Sequence, residues 1–356
     1  MSSISGNSGE WSEVVVLFFL LADGKVPLVD SDLVSLEEQY LEVVEVRKFS
    51  KEGELVFTIA EDRESIVLNS VTVVTSCSEI RSFLPLLVKA IAGGGKGIVI
   101  PEVEGLLARM RTFQLAAPSS DKTDMVVVVR DHRNGAINTI SFSLKSQIGT
   151  PASLLNASGA TSFRYSLIGA DDSIHMLRKL GQEPLKIIQQ AAGTGVSICC
   201  GVPLSEPFRE NLQLIDSAMP DIAAEMLLGH YSGHASRISD IVEYLVEKNP
   251  ASIRSNNLGT FYLQKVRHLL SDIALVMTAG KPWDGNYSSN GGYLILKKDG
   301  SIASIMFSDQ NIFRDYLLKN TKFERGSRTR HKYGNVIEDE EGTFHIDLNL
   351  QIRFIK

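Results

Sequence analysis

The pattern of hydrophobic and polar positions is clearest over residues 123–147, where it predicts a β-hairpin. Residues 125–129 form an apolar, β-branched run that is typical of a buried strand. Residues 136–145 alternate between apolar and polar side chains, as a strand with one buried face does. Asp131, Asn134 and Gly135 lie between the two and favour a turn. An antiparallel pair would therefore place Asp124, where the first strand opens, beside Lys145, where the second closes.

Patterns elsewhere predict an α/β (α+β) protein with a mixed central sheet flanked by helices. Residues 1–25 carry a helix from about Gly9 to Ala22, for which Ser8 is a candidate cap. Residues 26–117 combine four short strand patterns with two helical ones, and we expect them to form a small inserted α+β subdomain. Residues 118–356 then hold the core, with a helix over 260–277, a second hairpin over 292–307 and a last alternating strand over 344–354.

Composition narrows the class of protein. The chain has 356 residues, a net charge of −6 and a sequence pI near 5.7, so binding to nucleic acid would need a local basic patch. Residues 322–334 are such a patch. The three cysteines lack zinc spacing and form no disulfide framework. The N-terminus has no basic segment typical of a signal peptide, and the apolar run 14–22 is too short to span a bilayer. We therefore expect a cytoplasmic protein without a membrane partner.

The two ends of the predicted hairpin carry groups that suit phosphodiester hydrolysis. A carboxylate such as Asp124 can hold Mg²⁺, which prefers oxygen ligands, and a lysine such as Lys145 can contact a phosphate or orient a water. Eighteen residues separate Asp124 from Ser143, which precedes Lys145 by two positions. The alternative is an ordinary hairpin that ends in a solvated lysine, because short motifs often match by chance.

This arrangement resembles the D…(D/E)-x-K signature of the PD-(D/E)XK nuclease superfamily, with two departures. Thr123 stands in place of the proline, and Ser143 stands in place of the second acid. The opening GNSGEWSE (6–13) and the stretch 144–169, together with 261–275, 320–334 and 348–354, resemble the HpaII family of type II restriction endonucleases. The resemblance extends over nearly the whole chain. It implies a restriction-endonuclease-like core, Mg²⁺-dependent cleavage of double-stranded DNA within CCGG, and functional pairing with a protective DNA methyltransferase.

The resemblance assigns roles to individual residues. Asp124 would anchor the metal, Lys145 would act on phosphate and water, and Ser143, the carbonyl of Leu144 and Gln147 would assist. The missing acid would come from Glu10 or Glu13, which lie three apart on one face of the first helix, with Glu10 slightly favoured. The alternative is that both acids only stabilise the first turn of that helix through its dipole.

Three segments are candidates for contacts with DNA. In SLLNASGAT (153–161), Asn156, Ser158 and Thr161 can donate to phosphate oxygens. The basic loop 322–334 and the last strand offer arginines for guanine and hydroxyls for phosphates. The candidates there are Ser327, Arg328, Arg330, His331, Lys332, Gln351 and Arg353.

Other functions fit the same residues. One is a structure-specific or repair nuclease of the same fold, and another is a sequence-specific DNA-binding protein that lost catalysis with the acid at Ser143. A palindromic site would suit a homodimer, although a monomer that cuts each strand in turn is equally compatible.

Overall fold

The computed structural model describes residues 4–50, 53–115, 123–132, 134–275, 277–287 and 291–355. The chain divides into two compact units, the first made of 1–152 and 289–313 and the second of 153–288 and 314–355. Strands and helices are mixed throughout, which confirms the α/β class.

The helices are α1 (Ser8–Asp23), α2 (Cys77–Ala92), α3 (Pro101–Arg109), α4 (Asp171–Arg178), α5 (Pro184–Gly193), α6 (Glu206–Ile215), α7 (Met219–Tyr231), α8 (Ile241–Lys248), α9 (Leu258–Leu275), α10 (Gln310–Asn320) and α11 (Arg328–His331). The strands are β1 (Ser5–Gly6), β2 (Lys25–Val29), β3 (Ser35–Ser50), β4 (Gly53–Ile59), β5 (Ser65–Leu68), β6 (Thr72–Ser76), β7 (Ile98–Val99), β8 (Met125–Asp131), β9 (Ile137–Ser146), β10 (Ser153–Leu155), β11 (Ser162–Ile168), β12 (Ser197–Pro203), β13 (Gly292–Leu296), β14 (Ile302–Met306), β15 (Thr321–Phe323), β16 (Val336–Glu338), β17 (Phe344–Asn349) and β18 (Ile352–Phe354).

The first unit is built on a nine-stranded mixed sheet in the order β2-β14-β13-β9-β8-β3-β4-β5-β6. Strands β8 and β9 pair antiparallel, with Met125 opposite Phe142, and β13 runs parallel to β9. The predicted hairpin is therefore confirmed, and it lies in the middle of the sheet. Helix α1 packs against this sheet and against α2, and it buries Trp11, Val15 and Phe18 completely.

Helix α1 begins as the sequence predicts, but its cap is one residue earlier than expected. The Asn7 side chain accepts hydrogen bonds from the backbone N–H groups of Gly9 and Glu10, and the Glu10 carboxylate accepts one from Asn7. Ser8 is instead buried, with its hydroxyl 3.4 Å from the carbonyl of Ile91. An amide side chain at this position satisfies two N–H groups of the first turn, which explains why the cap moves to Asn7.

The described strands β2 to β6, within residues 26–117, do not form the separate sheet expected of an inserted subdomain. Strands β2 to β6 all belong to the nine-stranded sheet, and β3 pairs directly with β8 of the hairpin, with Val46 opposite Val127. Strand β3 is 16 residues long, and its many charged residues hide the regular alternation from the sequence pattern. The same compact unit therefore holds the hairpin and this segment.

The second unit has two smaller sheets, in the orders β12-β11-β17-β16 and β10-β18-β15. The single strand predicted over 344–354 is wrong, because the chain leaves β17 at Asn349 and enters β18 of the other sheet at Ile352. All six residues of β17 are buried, so its polar positions do not mark a solvent face. The expected basic loop also contains structure, namely strand β15 and the short helix α11.

Among helices in the described part of the chain, none combines the length and apolar character that a bilayer crossing requires.

Candidate active site

The two ends of the β8–β9 hairpin meet as the sequence predicts. Asp124 Oδ2 accepts hydrogen bonds from the Leu144 backbone N–H at 2.6 Å and from the Ser143 hydroxyl at 3.2 Å. The Lys145 ammonium in turn donates to Ser143 Oγ at 3.2 Å. Ser143, where the resemblance predicts an acid, therefore bridges the carboxylate and the amine.

The surroundings of Lys145 affect its pKa in two opposite directions. Its Nζ lies 4.8 Å from the centre of the Tyr293 ring, which belongs to the neighbouring strand β13. Burial lowers the pKa of Lys145, while the nearby Asp124 carboxylate acts in the opposite direction. The aromatic face and the carboxylate both favour a cation, so the amine is held near Asp124 in spite of its burial.

An open cleft of about 990 Å³ lies beside this hairpin end, within the first unit. Four of the predicted metal-site residues line it, namely Asp124, Leu144, Glu10 and Glu13. Along strand β9, Leu144 and Ser146 face the cleft. The described residues that line the cleft do not include the alternate positions Ser143, Lys145 and Gln147. Ser143 and Lys145 are connected to the cleft through Asp124, whereas Gln147 is half-buried and hydrogen-bonds through its backbone N–H to Leu296.

Helix α1 brings Glu13 to the cleft, where it meets a lysine that the sequence pattern did not single out. Lys48 is 1% exposed, and its Nζ lies 3.3 Å from Glu13 Oε2 and 2.6 Å from the Leu115 carbonyl oxygen. Burial lowers the pKa of Lys48, and the carboxylates of Glu13 and Asp124 oppose that effect. The buried Lys48 ammonium is therefore close enough to interact electrostatically with both carboxylates. Val46 of β3 points inward, and Lys48 follows it by two positions. The two-residue alternation of the strand is the sequence signal that could have predicted that Lys48 is buried.

The Glu10 carboxylate hydrogen-bonds to the backbone at the start of its own helix, whereas Glu13 pairs with Lys48. Its Oε2 accepts the Asn7 N–H at 2.7 Å as the second half of the capping box, and its side chain is half-buried. Ser12, two residues further along α1, donates to the Ser8 carbonyl at 2.7 Å and lies 3.0 Å from Ser146 Oγ of β9. These contacts fix the first turns of α1 against the end of the hairpin.

The donor set fits a hard divalent cation. Asp124, Glu13 and the Leu144 carbonyl all offer oxygen, and Mg²⁺ typically binds one or two carboxylates together with waters and substrate phosphates. Within the described ranges, no three His, Cys, Asp or Glu side chains form a complete cage. The two carboxylates, Asp124 and Glu13, are within the number that Mg²⁺ typically takes from a protein.

In the second unit, the loop at 156–161 is folded around a buried asparagine. Asn349 is completely buried, and its amide donates to the Ser158 carbonyl at 2.6 Å and to the Ser162 hydroxyl at 2.9 Å. Thr161 is also completely buried, and its hydroxyl bonds to the backbone of Ser158. The expectation that Thr161 contacts a phosphate is therefore wrong. Asn156 is exposed and Ser158 is half-buried.

The basic segment lies next to this loop. A side chain at Gly326 would come within 2.7 Å of Ala157 Cβ, so the two backbones are in close contact. Ser327 caps helix α11 by accepting from the Arg330 N–H. Arg328 forms an ion pair with Glu183 at 2.9 Å, and His331 is half-buried.

The exposed side chains of these two segments are Asn156, Arg325, Ser327, Thr329, Arg330 and Lys332.

The last strand does not present the side chains that were expected to face a groove. Gln351 lies between β17 and β18 and is 7% exposed. Arg353 is half-buried, and its Nε lies 2.5 Å from Glu324 Oε2. Gln351 is therefore buried and Arg353 is paired with an acid, because the chain passes between two sheets at this point.

Comparison with known proteins places the chain in a family. The family model for the HpaII restriction endonuclease matches residues 7–354. The chain is 36% identical to the type II restriction enzyme HpaII of Haemophilus parainfluenzae, over 99% of both chains. No solved structure gives a significant match. The match spans both units and the hairpin with Asp124 and Lys145, so the chain belongs to the HpaII family of restriction endonucleases.

Proposed function

We propose that this protein is a type II restriction endonuclease that cleaves both strands of DNA, depends on Mg²⁺ and acts at CCGG. The observation that carries the proposal is the linked set Asp124–Ser143–Lys145 beside Glu13, found in a chain that matches its relative from end to end. The specificity for CCGG rests on the family resemblance. The core would then be of the PD-(D/E)XK type.

The roles follow from the contacts. Asp124 Oδ2 already accepts two hydrogen bonds, so Oδ1, the Leu144 carbonyl and Glu13 would hold the cation. Bound Mg²⁺ would neutralise developing charge and lower the pKa of the attacking water. The Lys145 ammonium would contact the scissile phosphate, and Ser143 would fix its distance from Asp124. Gln147 would orient the lysine or contact DNA.

We favour Glu13 over Glu10 as the replacement for the missing acid. The carboxylates of Glu13 and Asp124 both raise the pKa of Lys48 against the effect of its burial. These two carboxylates therefore share one electrostatic environment. The Glu10 carboxylate instead completes the capping box of α1. Glu10 would then stabilise the helix that delivers Glu13.

For contacts with DNA we propose the surface formed by Asn156, Ser158, Ser327, Arg330 and Lys332, with Arg328 and His331 at its edge. Arg330 and Lys332 are exposed and lack the acidic partner that Arg328 has among the described residues. We further propose action in the cytoplasm together with a cognate DNA methyltransferase. A homodimer or a monomer acting on each strand in turn would both meet the requirement for a double-strand cut.

The test is a plasmid digest by the purified protein, with Mg²⁺ and with EDTA. Discrete bands that need Mg²⁺ and end within CCGG are expected. Discrete bands at another sequence would keep the chemistry and discard the site, and nicking at branched or damaged structures would favour a repair nuclease. Specific binding without cleavage would identify a DNA-binding protein whose catalysis was lost at Ser143.

A further inference from the structure

A glycine-rich loop faces the same cleft as the catalytic carboxylates. Residues 92–97 have the sequence AGGGKG, and Gly94, Gly95, Lys96 and Gly97 line the cleft together with Asp124. Its spacing does not match a nucleotide-binding P-loop, which needs a hydroxyl after the lysine. The loop joins helix α2 to strand β7.

The loop is anchored at both ends to the segment that carries Glu10 and Glu13. On one side, the Ser8 hydroxyl lies 3.4 Å from the carbonyl of Ile91, in the last turn of α2. On the other side, Trp11 Nε1 donates to the Ile98 carbonyl at 2.9 Å, and β7 pairs with β1 through Gly6 opposite Ile98. The position of the loop relative to α1 is therefore fixed by specific contacts.

The glycines are needed for backbone conformation and not for lack of space. Gly94, Gly95 and Gly97 have φ values of +69°, +119° and +73°, in the region that side chains disfavour. A side chain added at Gly94 or Gly95 would meet nothing within 4 Å. The loop therefore presents bare, exposed backbone together with the exposed ammonium of Lys96 on the wall of the cleft.

Charge explains what such a loop can do. Among the described residues that line the cleft, Lys96 is the only basic one, whereas Asp124, Glu10 and Glu13 are acidic. A DNA strand that enters this cleft brings a phosphate at every nucleotide, and the carboxylates repel each one that no cation neutralises. A flexible lysine on a bare backbone loop can neutralise a phosphate and lets the strand approach closely.

We propose that the loop 94–97 is a binding site for the DNA backbone, in which Lys96 pairs with a phosphate next to the scissile one. This inference rests on the proposed nuclease function and adds a substrate-positioning residue to it. The contact is with phosphate and not with a base, so Lys96 would contribute affinity without sequence preference.

The experiment compares Lys96→Ala with Lys89→Ala in the full-length protein. Lys89 is exposed on helix α2, which precedes the loop, and does not line the cleft. Both variants change the net charge by the same amount. Binding to a duplex with CCGG and to one without it is measured in EDTA over a range of salt concentrations. Lys96→Ala should weaken both complexes by about threefold to tenfold at low salt and reduce the salt slope by about one, and Lys89→Ala should leave both unchanged. In Mg²⁺, Lys96→Ala should raise KM more than it lowers kcat.

A second pair of variants tests the backbone. Gly95→Ala places a side chain at φ +119°, whereas Gly93 has φ −63°, which alanine adopts without strain. Gly95→Ala should weaken binding as Lys96→Ala does, and Gly93→Ala should not. Equal affinities and salt slopes for Lys96→Ala and the wild type would overturn the inference. Absence of DNA binding and cleavage by the wild type would instead overturn the proposed function, and the inference with it.

Discussion

At the scale of single residues, two lysines define the site, and the sequence revealed only one of them. Lys145 is visible because it closes an alternating strand opposite Asp124. Lys48 is hidden because a buried lysine contradicts the expectation that charged residues lie outside. Its burial is offset by Glu13 and by the Leu115 carbonyl, neither of which is near it in sequence. The period of β3 indicates that Lys48 points inward, but the partners that stabilise it depend on tertiary structure.

The first prediction at this scale separates Glu13 from Glu10. Mn²⁺ or Ca²⁺ should raise the Tm of the wild type, because a ligand that binds the folded state stabilises it. Glu13→Gln should weaken that cation binding at least about tenfold, since it removes a proposed ligand. Glu10→Gln is the matched control, because glutamine also completes a capping box and should leave the thermal shift intact. The opposite result, a loss only in Glu10→Gln, would move the missing acid to Glu10.

The second prediction concerns the pH dependence of stability. The folded-state pKa of Lys48 is lowered from 10.5 because burial disfavours the ammonium. Between that lowered pKa and 10.5 the unfolded chain binds more protons than the folded one, so the free energy of unfolding rises with pH in that window. As the pH rises above the lowered pKa towards 10.5, the wild type should therefore gain more stability than Lys48→Met does, as measured by urea unfolding. Parallel pH curves for the two proteins would show that Lys48 has no lowered pKa.

At the scale of elements, the sequence predicts those whose pattern reflects one buried face. The β8–β9 hairpin and helix α9 lie where their periodicity indicates, and the β13–β14 hairpin lies where its two apolar runs and the turn at Asp299-Gly300 indicate, although all of β13 is buried. The pattern fails for β17 and β18, because the chain changes sheets between Asn349 and Ile352, at residues without turn signals. It also fails for β3, whose length depends on pairing with strands on both sides.

The capping of α1 gives a prediction at the same scale. Asn7→Ala should lower the free energy of unfolding by about 1 kcal/mol, because two N–H groups of the first turn lose their acceptor. Asn7→Ser should remain close to the wild type, since serine is an equally good cap. The two variants are compared by urea unfolding. Equal stability of Asn7→Ala and the wild type would show that the cap contributes nothing.

At the scale of the whole molecule, an acidic protein must still bind a polyanion. The net charge is −6, yet the exposed side chains of 325–332 are basic or hydroxylic and the cleft of the first unit includes Lys96. Local arrangement of charge therefore matters more than the total. The sequence could show that basic residues cluster at 322–334, but it could not show that Arg328 and Arg353 are engaged by Glu183 and Glu324.

The most direct test of the central claim is to compare cleavage and binding in Lys145→Ala. Cleavage of a CCGG-containing plasmid in the presence of Mg²⁺ should fall at least about a hundredfold, because the variant lacks the lysine ammonium that contacts the scissile phosphate. Specific binding to the same sequence, measured by gel shift in EDTA, should persist. Lys298→Ala, which removes an exposed lysine that does not line the cleft, should cut like the wild type. Cleavage by Lys145→Ala at the wild-type rate would contradict the assignment of the Asp124–Ser143–Lys145 set as the catalytic site.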